Sequence, residues 1–436
     1  MRAILVLPLA LALGGCIKLG AKPMTFTCGN LLTENIQTYH STPLFAELQR
    51  DAGNDDPLPG TALIEAAKQL PADTIDVRTD PVVLALGRRG ETLIEDNRPP
   101  AMLMLSGGGS WGAFGAAFLN RYGRKDWTAV AGISTGAMQG LLVAAGDHER
   151  MVREYNIKVQ EDLAITNGLL GMVRKGSEYD LRPLHGKVMA YLLDASSGET
   201  ALVRMARAGS PELFVGMVEA RSGDLKVVAV TKMVRSVLND PNPTSDQVGK
   251  LASCVAGVTL ASSSIPVRLT PVQIDGQTYL DGGVRASVFD TGMARRHAAF
   301  QAMRGPRAQP SEIYVIRNGP TVVFRDGLDE KLGIPKVDAR PDLLRVGMRG
   351  YSTIVNQSEL MSIASLRLNH PKGPIRVMTA DGFNSPGMNP HPCGPRPEAV
   401  FHPGFMACLI RWGDTKAQTA KWIELSEIEP LQRRRR

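Results

Sequence analysis

The segment TAVAGISTGAMQGLLVAAG, Thr128–Gly146, decides the fold. It carries no charge and is long enough to span a membrane, but its glycines, serine and threonines argue against exposure to lipid. The pentapeptide GISTG at its centre has the G-x-S-x-G spacing at which a serine stands on a sharp turn between a strand and a helix. We therefore predict a buried strand over Thr128–Ile133, a tight turn, and a buried helix over Thr135–Ala145.

Ser134 in this turn is a candidate nucleophile. A serine presented in this way has a strained backbone, and side chains two positions before and after it would collide with the neighbouring strand and helix. Gly132 and Gly136 occupy those two positions. The helix that follows directs its free N–H groups and its dipole towards an anion forming beside the serine. The alternative is a structural turn with a capping serine.

A second glycine-rich turn lies upstream, in MLMLSGGGSWGAF, Met102–Phe114. An apolar strand, Ala101–Leu105, leads into three glycines whose bare backbone can approach either a dinucleotide pyrophosphate or an oxyanion. With Gly112 the run also fits G-x-G-x-x-G, the dinucleotide-binding spacing. That site needs an acidic residue at the end of the second strand, whereas Asp126 precedes its strand. The sequence therefore favours the oxyanion.

Asp281 is the candidate carboxylate, in the stretch DGQTYLDGGV. It follows an apolar, hairpin-like strand and precedes Gly282 and Gly283, so no side chain blocks its approach to a partner. The alternative is a plain Asp-Gly hairpin turn whose aspartate bonds its own backbone.

Histidine is the usual base for a serine nucleophile. If the chain follows the order serine, acid, histidine, four histidines are eligible: His297, His370, His391 and His402. None lies in a distinctive local pattern, and we interpret each as a structural or surface residue.

From Ala101 onward, short apolar runs alternate with longer helical ones, which predicts a parallel sheet covered by helices. The further strands predicted are Lys226–Thr231, Val272–Ile274, Ile313–Arg317 and PIRVMTA (374–380). The further helices predicted are Thr61–Leu70, Trp111–Arg121, Arg150–Asp162, Ser287–Arg304, Gly350–Leu368 and one near Asp414–Leu425.

Three motifs in this order, SGGGSWG, GISTG and LDGG, closely resemble the patatin-like phospholipase family. The resemblance covers about Ala101–Arg317 and, more loosely, FHPGFMACLIRWG near the C-terminus. It implies a three-layer α/β/α fold with a central, mostly parallel sheet and a nucleophile elbow. It also implies a lipid acyl hydrolase of phospholipase A or lysophospholipase type, which cleaves carboxylic esters of membrane lipids.

The resemblance further implies residue roles. Ser134 corresponds to the nucleophile and Asp281 to the general base of a Ser–Asp dyad without histidine. The backbone N–H groups of Gly107, Gly108 and Gly109 correspond to the oxyanion hole. No cofactor or metal is implied. A thioesterase or general esterase of the same fold, and a non-catalytic lipid-anchored scaffold, remain as alternatives.

The sequence departs from the family pattern at two positions. Ser106 begins the glycine loop, where relatives usually carry Asp or Gly. Trp111 stands where a basic residue is usual, which puts a preference for charged phospholipid in question. Trp111 is expected either to pack in the core or to contact an acyl chain.

The N-terminus, MRAILVLPLALALGGC, resembles a bacterial lipoprotein signal. Residues 1–15 are then the signal peptide, and the acylated Cys16 is the mature N-terminus. Ile17 replaces the Asp that commonly signals inner-membrane retention, which favours the outer membrane. We expect an N-terminal extension or linker over 16–100, a catalytic domain over 101–330, and a C-terminal segment over 331–436 that packs on or extends it.

The net charge of +7 is spread along the chain, without a basic stripe interleaved with aromatics, so nucleic acid is not an expected partner. With Cys16 acylated, an even number of cysteines remains, which permits disulfides in an oxidising compartment. Cys393 and Cys408 could close a small loop. Cys254 lies in an apolar run and is predicted to be a buried thiol; the connectivity stays open.

Overall fold

The computed structural model describes residues 22–39, 99–124, 126–168, 175–196, 198–289, 312–321, 343–370, 373–394, 397 and 399–426. The signal sequence, Cys16 and the predicted helix Thr61–Leu70 lie outside these residues. Most of the predicted helix Ser287–Arg304 also lies outside them, and its first three residues, which are described, are not helical.

The strands are β1 (Met24–Phe26), β2 (Ile36–Thr38), β3 (Ala101–Leu105), β4 (Trp127–Gly132), β5 (Ile165–Thr166), β6 (Tyr179–Asp180), β7 (Glu212–Glu219), β8 (Leu225–Ala229), β9 (Val272–Ile274), β10 (Gln277–Asp281), β11 (Glu312–Arg317), β12 (Ile375–Thr379) and β13 (Ile423–Glu424). The α-helices are α1 (Asn30–Thr33), α2 (Gly112–Tyr122), α3 (Thr135–Ala144), α4 (His148–Tyr155), α5 (Arg182–Leu193), α6 (Ala201–Ala206), α7 (Val230–Leu238), α8 (Ser245–Ser262), α9 (Leu343–Asn369) and α10 (Pro403–Thr419). Short 3₁₀ turns cover Gly109–Trp111, Gln160–Asp162 and Gly282–Val284.

Within the described residues, 11 strands form one mixed sheet. Its centre, in the order β7-β4-β3-β11-β12, is parallel throughout. Antiparallel strands extend it: β10 and β8 both pair with β7, and β13 pairs with β12. This arrangement confirms the predicted α/β fold with a central, mostly parallel sheet.

Both faces of the sheet are buried, which explains why its strands are continuously apolar. In β3, Leu103 and Leu105 belong to the larger core, which also contains residues of α2, α3, α8 and α10. Met102 and Met104 point to the opposite face, where Leu366 of α9 helps to cover the sheet. The result is three layers, with β3 and β4 at the centre of the sheet.

The uncharged segment Thr128–Gly146 forms β4 and α3, and both are buried, as predicted. In the portion of the chain that the structure describes, no helix has the length and hydropathy needed to cross a membrane.

Several predicted boundaries were wrong. The predicted strand Lys226–Thr231 ends at Ala229, and α7 begins at Val230. The predicted helix Arg150–Asp162 divides into α4 and the 3₁₀ turn at Gln160–Asp162, because the chain leaves helical geometry at Asn156. The central strand β7 was not predicted at all.

The C-terminal helix lies earlier than predicted, as α10 instead of a helix near Asp414–Leu425. It begins after His402, whose Nδ1 accepts a hydrogen bond from the Phe405 N–H at 3.2 Å. It ends before Ala420, which has a left-handed backbone with φ of 40°. Beyond that residue the chain forms β13, so the charged stretch was divided between two elements.

Two disulfides are formed, Cys28–Cys254 and Cys393–Cys408. The second closes the small loop that the sequence allowed. The first shows that the prediction of a free thiol at Cys254 was wrong. An apolar neighbourhood on α8 suits a buried disulfide as well as a buried thiol, and the partner lies 226 residues away.

Candidate active site

Ser134 lies between the end of β4 and the start of α3, on the predicted sharp turn. Its backbone has φ of 55° and ψ of −124°, a conformation that L-residues rarely adopt. The residue is buried at the floor of a depression. Backbone strain of this kind persists only where neighbouring residues hold the conformation in place, and here close packing at Gly132 and Gly136 does so on both sides of Ser134.

The elbow glycines are required by close packing. A Cβ on Gly132 would lie 2.4 Å from the Gly136 carbonyl oxygen at the start of the helix. A Cβ on Gly136 would lie 2.2 Å from the Leu105 carbonyl oxygen at the end of β3. The collisions inferred from the G-x-S-x-G spacing are therefore present, one with the helix and one with the strand.

Ser262, which the sequence analysis did not single out, holds the turn at Ser134 in place. The Ser134 N–H donates to Ser262 Oγ at 2.9 Å, and the Ser262 hydroxyl donates to the Gly216 carbonyl at 2.6 Å. Ser262 ends α8, and Gly216 lies in β7. The Ser134 N–H is thus occupied by a structural hydrogen bond.

Asp281 ends β10, whose pairing with β7 carries it to the elbow. Its carboxylate interacts with the Ser134 hydroxyl. The carboxylate also accepts the Gly283 N–H at 2.7 Å, and the Asp281 N–H donates to the Ser264 carbonyl at 2.9 Å. The structure therefore brings together the two side chains that the sequence singled out.

The Asp281 carboxylate is buried, and this raises its pKa to about 6. Hydrogen bonds from Ser134 and from the Gly283 N–H act in the opposite direction but do not cancel the effect of burial. A carboxylate with this pKa is a stronger base than an exposed one and is still ionised at neutral pH.

The glycine loop, Gly107–Gly109, runs past Ser134. A Cβ on Gly107 would lie 3.3 Å from the Ser134 Cβ, and Gly108 has φ of 150° with the Asn318 carbonyl 2.1 Å from where its Cβ would be. Within the described residues, the N–H groups of Gly108 and Gly109 have no intramolecular acceptor. They are available to an anion beside Ser134.

A buried polar network that the sequence reasoning missed supports this loop. Ser106 Oγ accepts the Asn318 N–H at 2.9 Å and donates to the Gly107 carbonyl at 2.8 Å. The Asn318 side chain donates to the Ser106 carbonyl at 2.7 Å and to Gln139 Oε1 at 3.0 Å. Gln139 is the one strongly polar side chain in the apolar sequence of α3, which is the signal that could have revealed it.

Two cavities meet at Ser134. The first is apolar and is enclosed mainly by side chains of α3, α5 and the loop after α8, among them Met138, Leu142, Leu184, Val188, Ile265 and Leu269. The second, called the polar cavity below, is more polar than the first and is lined by the glycine loop, Asp281, the end of β11 and the inner face of α9. Ser134 therefore has an apolar compartment on one side and a hydrogen-bonding compartment on the other.

Trp111 is 6% exposed and packs edge-on against Phe383 and Phe405, at ring-centroid distances of 4.8 and 5.1 Å. It is therefore a core aromatic, one of the two expectations. It also lines the polar cavity and not the apolar one.

None of the described histidines lines either cavity. His402 caps α10. The His391 carbonyl oxygen lies 3.5 Å from the sulfur of the disulfide-bonded Cys408. The His370 carbonyl accepts from Arg367 just beyond α9. His297 lies outside the described residues.

Comparison with known proteins agrees with this geometry. Residues 103–290 match the family model for patatin-like phospholipase, a span that includes the glycine loop, the elbow and Asp281. No curated protein matches the chain. Residues 103–290 of this chain therefore match a patatin-like phospholipase domain, and the α/β fold agrees with that match.

Proposed function

We propose that the protein hydrolyses carboxylic esters of lipids through a covalent acyl-Ser134 intermediate, with Asp281 as the general base. One observation carries the proposal: Ser134 interacts with a buried carboxylate whose pKa is raised to about 6, and it opens onto an apolar cavity. The first feature activates a hydroxyl nucleophile, and the second suits an acyl chain.

In the first half-reaction the Ser134 oxygen attacks the ester carbonyl carbon while its proton passes to the Asp281 carboxylate. The resulting tetrahedral oxyanion receives hydrogen bonds from N–H groups of the glycine loop. Collapse breaks the bond to the alcohol oxygen, which takes the proton from Asp281 and leaves. The acyl group remains on Ser134.

In the second half-reaction a water molecule gives a proton to Asp281 and attacks the acyl carbonyl carbon. Collapse of the second oxyanion releases the Ser134 oxygen, which recovers its proton from Asp281. The products are the free fatty acid and the regenerated dyad.

The expected loop donors are the N–H groups of Gly107, Gly108 and Gly109, and those of Gly108 and Gly109 have no acceptor within the described residues. Removing one such donor typically costs about 3–4 kcal/mol of transition-state stabilisation. The network of Ser106, Asn318 and Gln139 holds the loop before substrate binds, so no reorganisation is needed during the reaction.

Labelling with a fluorophosphonate tests the nucleophile. Wild type should be labelled, Ser134→Ala should not, and the exposed Ser222→Ala should be labelled like wild type. Absence of label on folded wild type, or equal label on Ser134→Ala, would overturn the proposal.

A filled apolar cavity tests the placement of the acyl chain. Met138→Trp adds bulk to the cavity wall and should lower kcat/KM for nitrophenyl decanoate at least about tenfold relative to nitrophenyl acetate. An unchanged ratio between the two esters would mean that the acyl chain lies elsewhere.

We further propose that the protein is anchored in the outer membrane of a bacterial cell envelope through acylated Cys16, which would place it beside membrane lipids as substrates. Two disulfides among the described residues support an oxidising compartment. Cells grown with labelled palmitate should incorporate label into wild type but not into Cys16→Ser. Label in both, or in neither, would contradict the anchor.

A further inference from the structure

The polar cavity holds buried polar groups that the dyad mechanism does not use. Glu359 on α9 is only 7% exposed, and its carboxylate lies 3.0 Å from the Arg317 Nε at the end of β11. Ser287 is almost fully buried and lines the same cavity as Ser134 and Asp281. These groups lie on the alcohol side of the scissile bond if the acyl chain occupies the apolar cavity.

Within the described residues, two atoms of this set have no hydrogen-bond partner: Ser287 Oγ and one carboxylate oxygen of Glu359, Oε1. The Glu359 carboxylate otherwise interacts with Arg317 and with the Ser106 side chain. Leaving a buried polar atom unpaired typically costs about 1–3 kcal/mol, so such atoms call for an explanation. A ligand that both accepts and donates would satisfy the two together. A hydroxyl group does this, because it can accept from Ser287 and donate to Glu359.

The space beside Asp281 is kept open for such a group. A Cβ on Gly283 would lie 2.9 Å from Asp281 Oδ1 and 3.4 Å from Ser287 Oγ. Any larger residue there would fill the gap between the base and the Ser287 hydroxyl. The unpaired hydroxyl is therefore next to the reaction centre.

The charges of the cavity wall are balanced. Arg317 pairs with Glu359, and Arg268 pairs with Glu178 at 2.9 Å. Among the described residues, the wall offers hydrogen bonds without a surplus cation, which suits an uncharged polar group better than a phosphate.

We propose that Ser287 and Glu359, with Arg317 holding Glu359 in place, form a subsite for a free hydroxyl on the alcohol half of the ester. The inference rests on the proposed function and refines its substrate class. The favoured substrates are monoacyl glycerolipids, whose glycerol keeps a free hydroxyl, over esters whose neighbouring hydroxyls are blocked.

The test compares 1-decanoylglycerol with its 2,3-di-O-methyl ether, which has the same acyl chain and no free hydroxyl. Wild type should prefer the glycerol ester by about 10- to 100-fold in kcat/KM. The ether oxygen can accept from Ser287 but has no proton to donate to Glu359, and its methyl group must fit beside both side chains. Ser287→Ala and Glu359→Gln should each reduce this preference to about threefold or less. Because the preference is a ratio within one protein, partial loss of folded enzyme cancels.

Equal kcat/KM of wild type for the two esters would overturn the subsite, as would a preference that both variants retain. Nitrophenyl decanoate separates this result from a failure of the proposed function. If wild type cleaves the nitrophenyl ester but does not distinguish the other two, only the subsite fails. If wild type cleaves none of the three and takes no fluorophosphonate label, the hydrolase proposal fails and the subsite with it.

Discussion

The raised pKa of Asp281 predicts a pH dependence of the rate that an ordinary aspartate would not produce. The base must be ionised to accept the Ser134 proton, so kcat/KM follows the ionised fraction of Asp281. With the pKa at about 6, about nine-tenths of the carboxyl is ionised at pH 7 and about one-tenth at pH 5. Lowering the pH from 7 to 5 should therefore reduce kcat/KM about tenfold. An aspartate at its ordinary pKa would remain more than about nine-tenths ionised at both values.

The assay is hydrolysis of nitrophenyl decanoate from pH 4.5 to 8, read at the wavelength at which ionised and neutral nitrophenol absorb equally. This substrate does not titrate in the range, so the profile reports on the enzyme. Circular dichroism at pH 5 and 7 serves as the control that the protein stays folded. A profile that is flat between pH 5 and 7 would refute the reasoning, since it would mean that Asp281 is either not the base or not desolvated.

The remaining predictions concern stability and the loop. Because the pKa of folded Asp281 lies above its ordinary value, its contribution to stability is complete at low pH and is lost as the pH rises through about 6. Asp281→Asn should therefore raise the free energy of unfolding in urea by about 3 kcal/mol at pH 8 and by under about 1 kcal/mol at pH 4. A variant that is less stable than wild type at pH 8 would contradict this. Gly108→Ala places a methyl group 2.1 Å from the Asn318 carbonyl oxygen and should lower kcat at least about 100-fold. The control Gly209→Ala, whose Cβ meets nothing within 4 Å, should leave kcat unchanged. Similar kcat values for the two variants would contradict the prediction. Replacing the cysteines of the Cys28–Cys254 disulfide by serine should lower the free energy of unfolding by about 5 kcal/mol, because this disulfide closes the longer loop. The same change at Cys393–Cys408 should lower it by about 3 kcal/mol. Thermal unfolding should show the larger loss of stability for the first variant, and the reverse order would contradict the entropic argument.

The sequence by itself determined the local geometry of the site. The segment Thr128–Gly146 predicts a strand, a sharp turn and a helix, because apolar periodicity and glycine spacing depend on only a few neighbouring residues. The same local rules placed the glycine loop after β3 and Asp281 after a hairpin strand. These signals survive in a single sequence because each depends only on residues close along the chain.

Local rules failed where neighbours from distant segments decide the outcome. The C-terminal helix was predicted too late in the chain because nothing near residues 423–424 reveals that they pair with β12 as β13. Cys254 was taken for a thiol because nothing near it on α8 reveals Cys28. The support of the glycine loop by Asn318 and Gln139 likewise joins β11 and α3, which are far apart in sequence.

The tertiary structure alone decided the environment of the proposed dyad. Pairing of β10 with β7 carries Asp281 to Ser134, and burial there raises the pKa of the Asp281 carboxyl to about 6. Packing of α3, α5 and α9 around that point separates an apolar compartment from a polar one. Sequence identifies a nucleophile and a carboxylate through local backbone geometry, whereas desolvation and cavity shape are sums over many distant contacts and arise only when the chain is folded.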